Sequence, residues 1–212
     1  MDSAKPAAHI PEVRERDEHE AEFDRIVAFT DGVLAIAITL LVLALDLPTV
    51  PDDELLSSLD ELLPELGAYA LSFAVIGRYW VIHHRFFGSL ARFDSWLVTR
   101  NLLYLSLIVL VPFTSELLGE YGNTSVAVVI YAAILGSAAL ANWAMINHAV
   151  KLDMIQPAER AATARFGERA ALVFPGIFFA SIPVALVSPT AGELMWLGIL
   201  LVHQRGRVSR RR

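Results

Sequence analysis

The sequence predicts an all-α integral membrane protein, a bundle of six transmembrane helices per subunit with both termini cytosolic. Three observations carry that expectation. Of the 212 residues 55% are apolar and 19% charged, against roughly half and a quarter in a soluble domain, and mean hydropathy is +0.51. Apolar runs recur at about 27–47, 66–84, 97–118, 124–147, 170–187 and 190–204, where about 20 helical residues cross a hydrocarbon core of roughly 30 Å. Finally, Lys and Arg are confined to alternate connections between these runs.

That confinement orients the bundle. With the N-terminus inside, Lys5, Arg14, Arg16 and Arg25 lie on the cytosolic side, followed by Arg85, Arg92 and Arg100, then by Lys151, Arg160, Arg165 and Arg169. Arg205, Arg207, Arg210, Arg211 and Arg212 close the chain, and Arg78, within the second run, is left over. The opposite connections, PTVPDDELLSSLDELLPE, GEYGNTS and SPTAGE, hold no Lys or Arg. Positive charge inside and none outside requires an even number of spans, independently of hydropathy.

The organisation follows. Residues 1–24 read as a cytosolic lead-in without the apolar core of a signal peptide, residues 25–204 as the six-helix domain, and residues 205–212 as a basic cytosolic tail. Pro112, Pro175 and Pro183 mark expected bends, and the last two shorten and interrupt the fifth run. The acidic residues Asp46, Asp52, Asp53, Glu54, Asp60, Glu61 and Glu65 form an outer loop that is either solvated or concentrates cations at a mouth. The basic linker at 147–169 and the tail face anionic lipid head groups. Their placement follows from topology, so they call for no nucleic acid.

Several chemistries are excluded. The chain has no cysteine, so disulfides, thiolate catalysis and Cys-based metal sites are ruled out. His83 and His84 are adjacent and point to different helix faces, and no H-E-x-x-H pairing brings His148, Asp31 or Asp94 into a metalloenzyme pattern. No catalytic residue, metal ligand or cofactor is expected, and the chain does not read as an enzyme.

The first run carries the most information. At about 100° per residue, Phe29, Gly32, Ile36, Leu40, Leu43 and Leu47 share one stripe, with Thr39 at its edge, while Asp31 points away. By spacing alone the stripe is a pore face or an ordinary lipid- or helix-facing surface. Asp31 is expected inside the subunit, where His83 or His84 of the second run and Asn101 of the third are candidate partners.

Arg25-Ile-Val-Ala-Phe29-Thr30-Asp31-Gly32 resembles the R-x-x-x-F-S-D-G motif that opens the first helix of the transmembrane-protein-175 family of potassium channels, with Thr30 in place of the usual serine. The likeness continues through Trp80, His83, His84, Phe87, Asp94, Asn101, Leu102, Pro112 and Phe113, and so covers roughly residues 25–119. The resemblance implies a homotetramer in a cell's inner membrane, with potassium ions and membrane lipids as partners and the first helix of each subunit lining a central pore. It implies a hydrophobic constriction at Ile36, Leu40 and Leu43 and a hydroxyl ring at Thr39. Arg25, Phe29, Thr30, Asp31, Gly32, His83, His84 and Asn101 become a bracing network. No T-V-G-Y-G filter exists in the chain, so modest potassium preference is expected from the hydration an ion gives up in the constriction. A secondary transporter or a proton-conducting channel of the same six-span architecture is the alternative.

Overall fold

The computed structural model describes residues 11–45, 50–51, 58–60 and 62–201, with side chains for 20–45, 50–51, 58–60, 62–163 and 173–198. Its elements are α1 (Pro11–Leu40) continued by a 3-10 turn (Leu41–Ala44), α2 (Leu63–Gly88), α3 (Ser95–Val109), α4 (Val111–Tyr121), α5 (Ser125–Lys151), α6 (Arg160–Ala185) and α7 (Pro189–Leu201). The six apolar runs map onto α1 with its 3-10 turn, α2, α3 together with α4, α5, α6 and α7.

Among the described residues three stretches are long and apolar enough to cross a membrane, Glu20–Ala44, Ser95–Tyr121 and Ser125–Lys151, with a shorter apolar segment at Val173–Ala185. The 26 residues of α2 span about 39 Å at 1.5 Å per residue, but Arg78, His83 and His84 make it more polar.

The prolines act differently. Pro112 has no N–H to give the carbonyl one turn earlier, and the helix breaks at Leu110, whose N–H reaches back only to the Leu107 carbonyl at 3.2 Å. Pro175 and Pro183 were expected to interrupt the fifth run, yet both lie inside an unbroken α6. That helix packs along α5 and α7, the two most extensive interfaces besides the α3–α5 contact, and such neighbours let a helix continue through prolines in a membrane bundle. Gly136 makes the approach to α5 possible: a Cβ there would lie 3.0 Å from Phe179.

The core is apolar with a few hydroxyls joining helices. Ser72 on α2 hydrogen-bonds Ser115 on α4 and Tyr131 on α5, each at 2.9 Å, Tyr79 donates to the Leu135 carbonyl at 2.8 Å, and Trp196 donates to Ser181 at 2.8 Å. Each of these closes a polar atom that lipid cannot satisfy. At the other end the α2–α3 and α5–α6 connections meet through the Leu90–Ile155 bridge, with the Ala91 N–H on the Met154 carbonyl at 2.8 Å and the Gln156 N–H on the Ser89 carbonyl at 2.9 Å.

Residues 1–10, the acidic positions Asp46, Asp52, Asp53, Glu54 and Glu61, the stripe position Leu47 and the tail 205–212 lie outside the described residues.

Candidate functional site: one face of the first helix and the network behind it

α1 packs against α2 and α3, and its 3-10 turn packs against α4. The helix divides by face. Thr30, Leu34, Ala37 and Leu41, spaced by three and four, are buried at 1%, 1%, 2% and 0% exposure. The opposite line is open: Phe29, Ile36, Leu40 and Leu43 are 55%, 60%, 39% and 73% exposed, and Ala28, Gly32, Ala35 and Thr39 are exposed beside them. Both faces are apolar, so within one chain an apolar stripe stays without a partner. The small residues Ala28, Gly32 and Ala35 leave room for another helix to come close.

The switch to 3-10 geometry alters the stripe. In an α-helix Leu43 is offset from Leu40 by about 60°, whereas residues three apart eclipse in a 3-10 turn. Leu43 therefore stands over Leu40, about 6 Å further along. Thr39 Oγ1 donates to the Ile36 carbonyl at 2.8 Å. Its proton is thus committed to its own helix, and the oxygen presents lone pairs outward, the arrangement a cation requires.

Behind this face lie two polar networks rather than one. Thr30 Oγ1 donates to the Ile26 carbonyl at 2.8 Å and accepts from Asn101 Nδ2 at 2.8 Å. With the Asn101 amide nitrogen so engaged, its Oδ1 accepts from His83 Nε2 at 2.9 Å, which places a proton on Nε2. His83 is buried between Phe87 and Tyr104, whose rings stack on it at 4.3 and 4.9 Å.

Asp31 belongs to the second network. Trp80 Nε1 donates to its Oδ1 at 2.9 Å, and His84 Nδ1 is 3.9 Å from its Oδ2. Of the partners expected for Asp31, His84 is present, whereas Asn101 turns instead to Thr30, one residue earlier and on the buried line, and His83 turns to Asn101. The carboxylate side chain is 39% exposed, so it sits at the edge of the subunit. Sequence reasoning left Trp80 without a role, although an indole N–H within a span needs an acceptor. Arg25 is exposed at the start of the motif.

The fold and the open face of its first helix are those of a polytopic helical membrane bundle, and comparison with known proteins places it among ion channels. The family model described as endosomal/lysosomal potassium channel TMEM175 matches residues 25–112. A potassium channel of Streptomyces collinus is 36% identical over 181 residues, covering 79% of this chain and 87% of that protein. The crystal structure of a lysosomal potassium-selective channel TMEM175 homologue from Chamaesiphon minutus superposes with a TM-score of 0.77 at 33% identity, covering 85% of this chain and 95% of that one. A bovine relative named as an endosomal/lysosomal proton channel is 32% identical over 181 residues, 78% of this chain and 37% of its own. The chain belongs to the TMEM175 family, whose matched members are ion channels and not enzymes.

Proposed function

We propose that this chain is the subunit of a potassium-selective leak channel in the cell's inner membrane, with residues 25–204 as its conducting domain. Four copies surround a central path lined by α1, with the lead-in 1–24 and the tail 205–212 on the cytosolic side. The observation that carries this reading is the open stripe of Ile36, Leu40 and Leu43 with the Thr39 oxygen on its flank. Exposed apolar side chains on other helices, such as Leu103, Phe113 and Val126, suit lipid; what supports a path along α1 is the Thr39 oxygen on the stripe's flank and the polar network behind it.

Rings of Ile and Leu offer no ligand to an ion. They narrow and dewet the path, and so gate it. Potassium gives up hydration more readily than sodium, and four Thr39 oxygens partly replace the lost water, which yields modest preference. No cofactor enters this scheme, and potassium is the permeant ion. Thr30, Asp31, His83, His84 and Asn101 place the helix from behind, whereas Phe29 and Gly32 stand on the open face and Arg25 at its cytosolic start.

A second reading, proton conduction, is favoured by the naming of the bovine relative as a proton channel. Purified protein in liposomes separates the two, because potassium efflux and internal acidification are read in the same vesicles. Potassium efflux down its gradient with no co-substrate supports the potassium reading, and acidification without potassium dependence supports the second.

A further inference from the structure

A second polar cluster ties α3 to α5 at the end of the bundle that carries the connecting loops. Asp94 caps α3: its Oδ1 accepts the Leu97 N–H at 2.8 Å, and its Oδ2 meets Nε2 of His148, in the last turn of α5, at 2.8 Å. The His148 ring stacks on Trp96 with 3.8 Å between centroids and 19° between planes. The Arg100 guanidinium lies 3.0 Å from the centroid of the same indole, and at those distances the two groups occupy opposite faces of it.

Asp94 and Asn101 are seven residues apart, two turns on one face of α3. The helix is therefore held at two points, to α5 through Asp94 and His148 and to α1 through Asn101 and Thr30. We propose that the Asp94–His148 pair is a proton-sensitive clasp that positions α3, and through Asn101 the open face of α1, so that ion flux answers to pH at this end of the bundle. The inference rests on the channel reading given above.

Histidine changes charge between about pH 5 and 8, and an imidazolium–carboxylate hydrogen bond is roughly twice as strong as its neutral counterpart. Burial alone would raise the Asp94 carboxyl, but the bonds from His148 and the Leu97 N–H outweigh it and hold the group below the ordinary carboxylate range. The carboxylate thus remains an acceptor for the ring. Among the described residues the other charged groups at this end include Arg100, Lys151 one turn beyond His148, Arg92, whose Nη2 donates to the Leu152 carbonyl at 2.9 Å, the Asp153–Arg160 pair at 2.7 Å, Glu159, and Glu20 and Asp24 of α1, which line a pocket with Arg92 and Phe93. Loss of the imidazolium charge loosens α3 from α5, relaxes the tie to α1, raises flux and lowers the preference for potassium over sodium.

Two measurements on the full chain test this. Potassium efflux from liposomes is compared at symmetrical pH 6 and pH 8 for native protein, His148→Gln, which keeps a donor for Asp94 and does not titrate, and Asp94→Asn. In parallel, Trp96 fluorescence is followed as the difference between native protein and Trp96→Phe, since a stacked imidazolium quenches indole emission. Native efflux is expected to rise about two-fold or more from pH 6 to pH 8, with the ratio falling to about one in both variants and with a Trp96 quenching step at acid pH that His148→Gln abolishes. A native efflux ratio of one, or a step that survives in His148→Gln, overturns the clasp. No efflux at either pH with the Trp96 step intact overturns the channel reading instead, and with it the coupling of the clasp to flux.

Discussion

Asn101 Nδ2 donates to Thr30 Oγ1 at 2.8 Å across the α1–α3 interface. The chain of bonds has one direction: His83 gives to Asn101, Asn101 to Thr30, and Thr30 to the Ile26 carbonyl. Because no member can reverse without orphaning another, α1, α2 and α3 hold a single relative rotation. Rotation of α1 decides which of its two apolar faces is open.

Replacing Asn101 with Leu strands the His83 Nε2–H in a buried site. The expected loss is about 1–3 kcal/mol, the range for a buried polar group left without its partner. Thr30→Ser keeps the hydroxyl and should cost well under about 1 kcal/mol. Thermal unfolding in detergent ranks the two, and equal midpoints would show that the network does not brace α1.

The Trp80–Asp31 bond lies at the subunit edge, so its loss should be milder. Trp80→Phe keeps the ring and removes the donor, with an expected cost below about 1 kcal/mol. Asp31→Asn keeps the Oδ1 acceptor and should be close to native. A larger loss for Trp80→Phe than for Asn101→Leu in the same unfolding assay would place the main brace at Asp31.

Asp94 predicts the acid limb of stability. Its pKa is held down in the folded chain, chiefly against desolvation, by the bonds from His148 and the Leu97 N–H. A depressed carboxyl stabilises the fold at pH values above its unfolded pKa, and the contribution disappears as pH falls through the folded value. Native protein should therefore lose stability more steeply than Asp94→Asn as pH drops below about 4. Parallel curves in a pH series of melting points would contradict the assignment.

Thr39→Ala removes the outward oxygen and leaves the helix intact, because its hydroxyl bonds only its own turn. Selectivity for potassium over sodium should fall several-fold while the unfolding midpoint stays within about 0.5 kcal/mol of native. Cation-exchange efflux assays with each ion check it, and unchanged selectivity removes Thr39 from the ion's path.

Much of this arrangement was legible in the sequence because the 3.6-residue period and the charge segregation are direct records of which surfaces meet lipid, protein and water. The exposed line through Phe29, Ile36 and Leu40 is the stripe that helical spacing isolates. The 3-10 turn was not legible: Leu-Val-Leu-Ala contains no residue that forbids an α-helix, and the change depends on seating Leu41, fully buried, against α4. The continuity of α6 through Pro175 and Pro183 depends in the same way on its neighbours. Nor does spacing tell that Thr30 rather than Asp31 is the buried hub, since a carboxylate beside a hydroxyl attracts attention by its charge, whereas the shorter neutral group is the one that packs. The Asp94–His148 pair joins residues 54 apart, a distance no local pattern spans.

The central claim is that the open face of α1 is the ion's path, with Ile36, 60% exposed within the subunit, in its apolar constriction. The direct measurement is the reversal potential of reconstituted protein in a planar bilayer with potassium on one side and sodium on the other, for native protein and Ile36→Asn. Native protein should reverse toward the potassium equilibrium potential, and Ile36→Asn, which wets the ring, should carry more current and reverse closer to zero. Identical currents and reversal potentials for the two would contradict a path along this face.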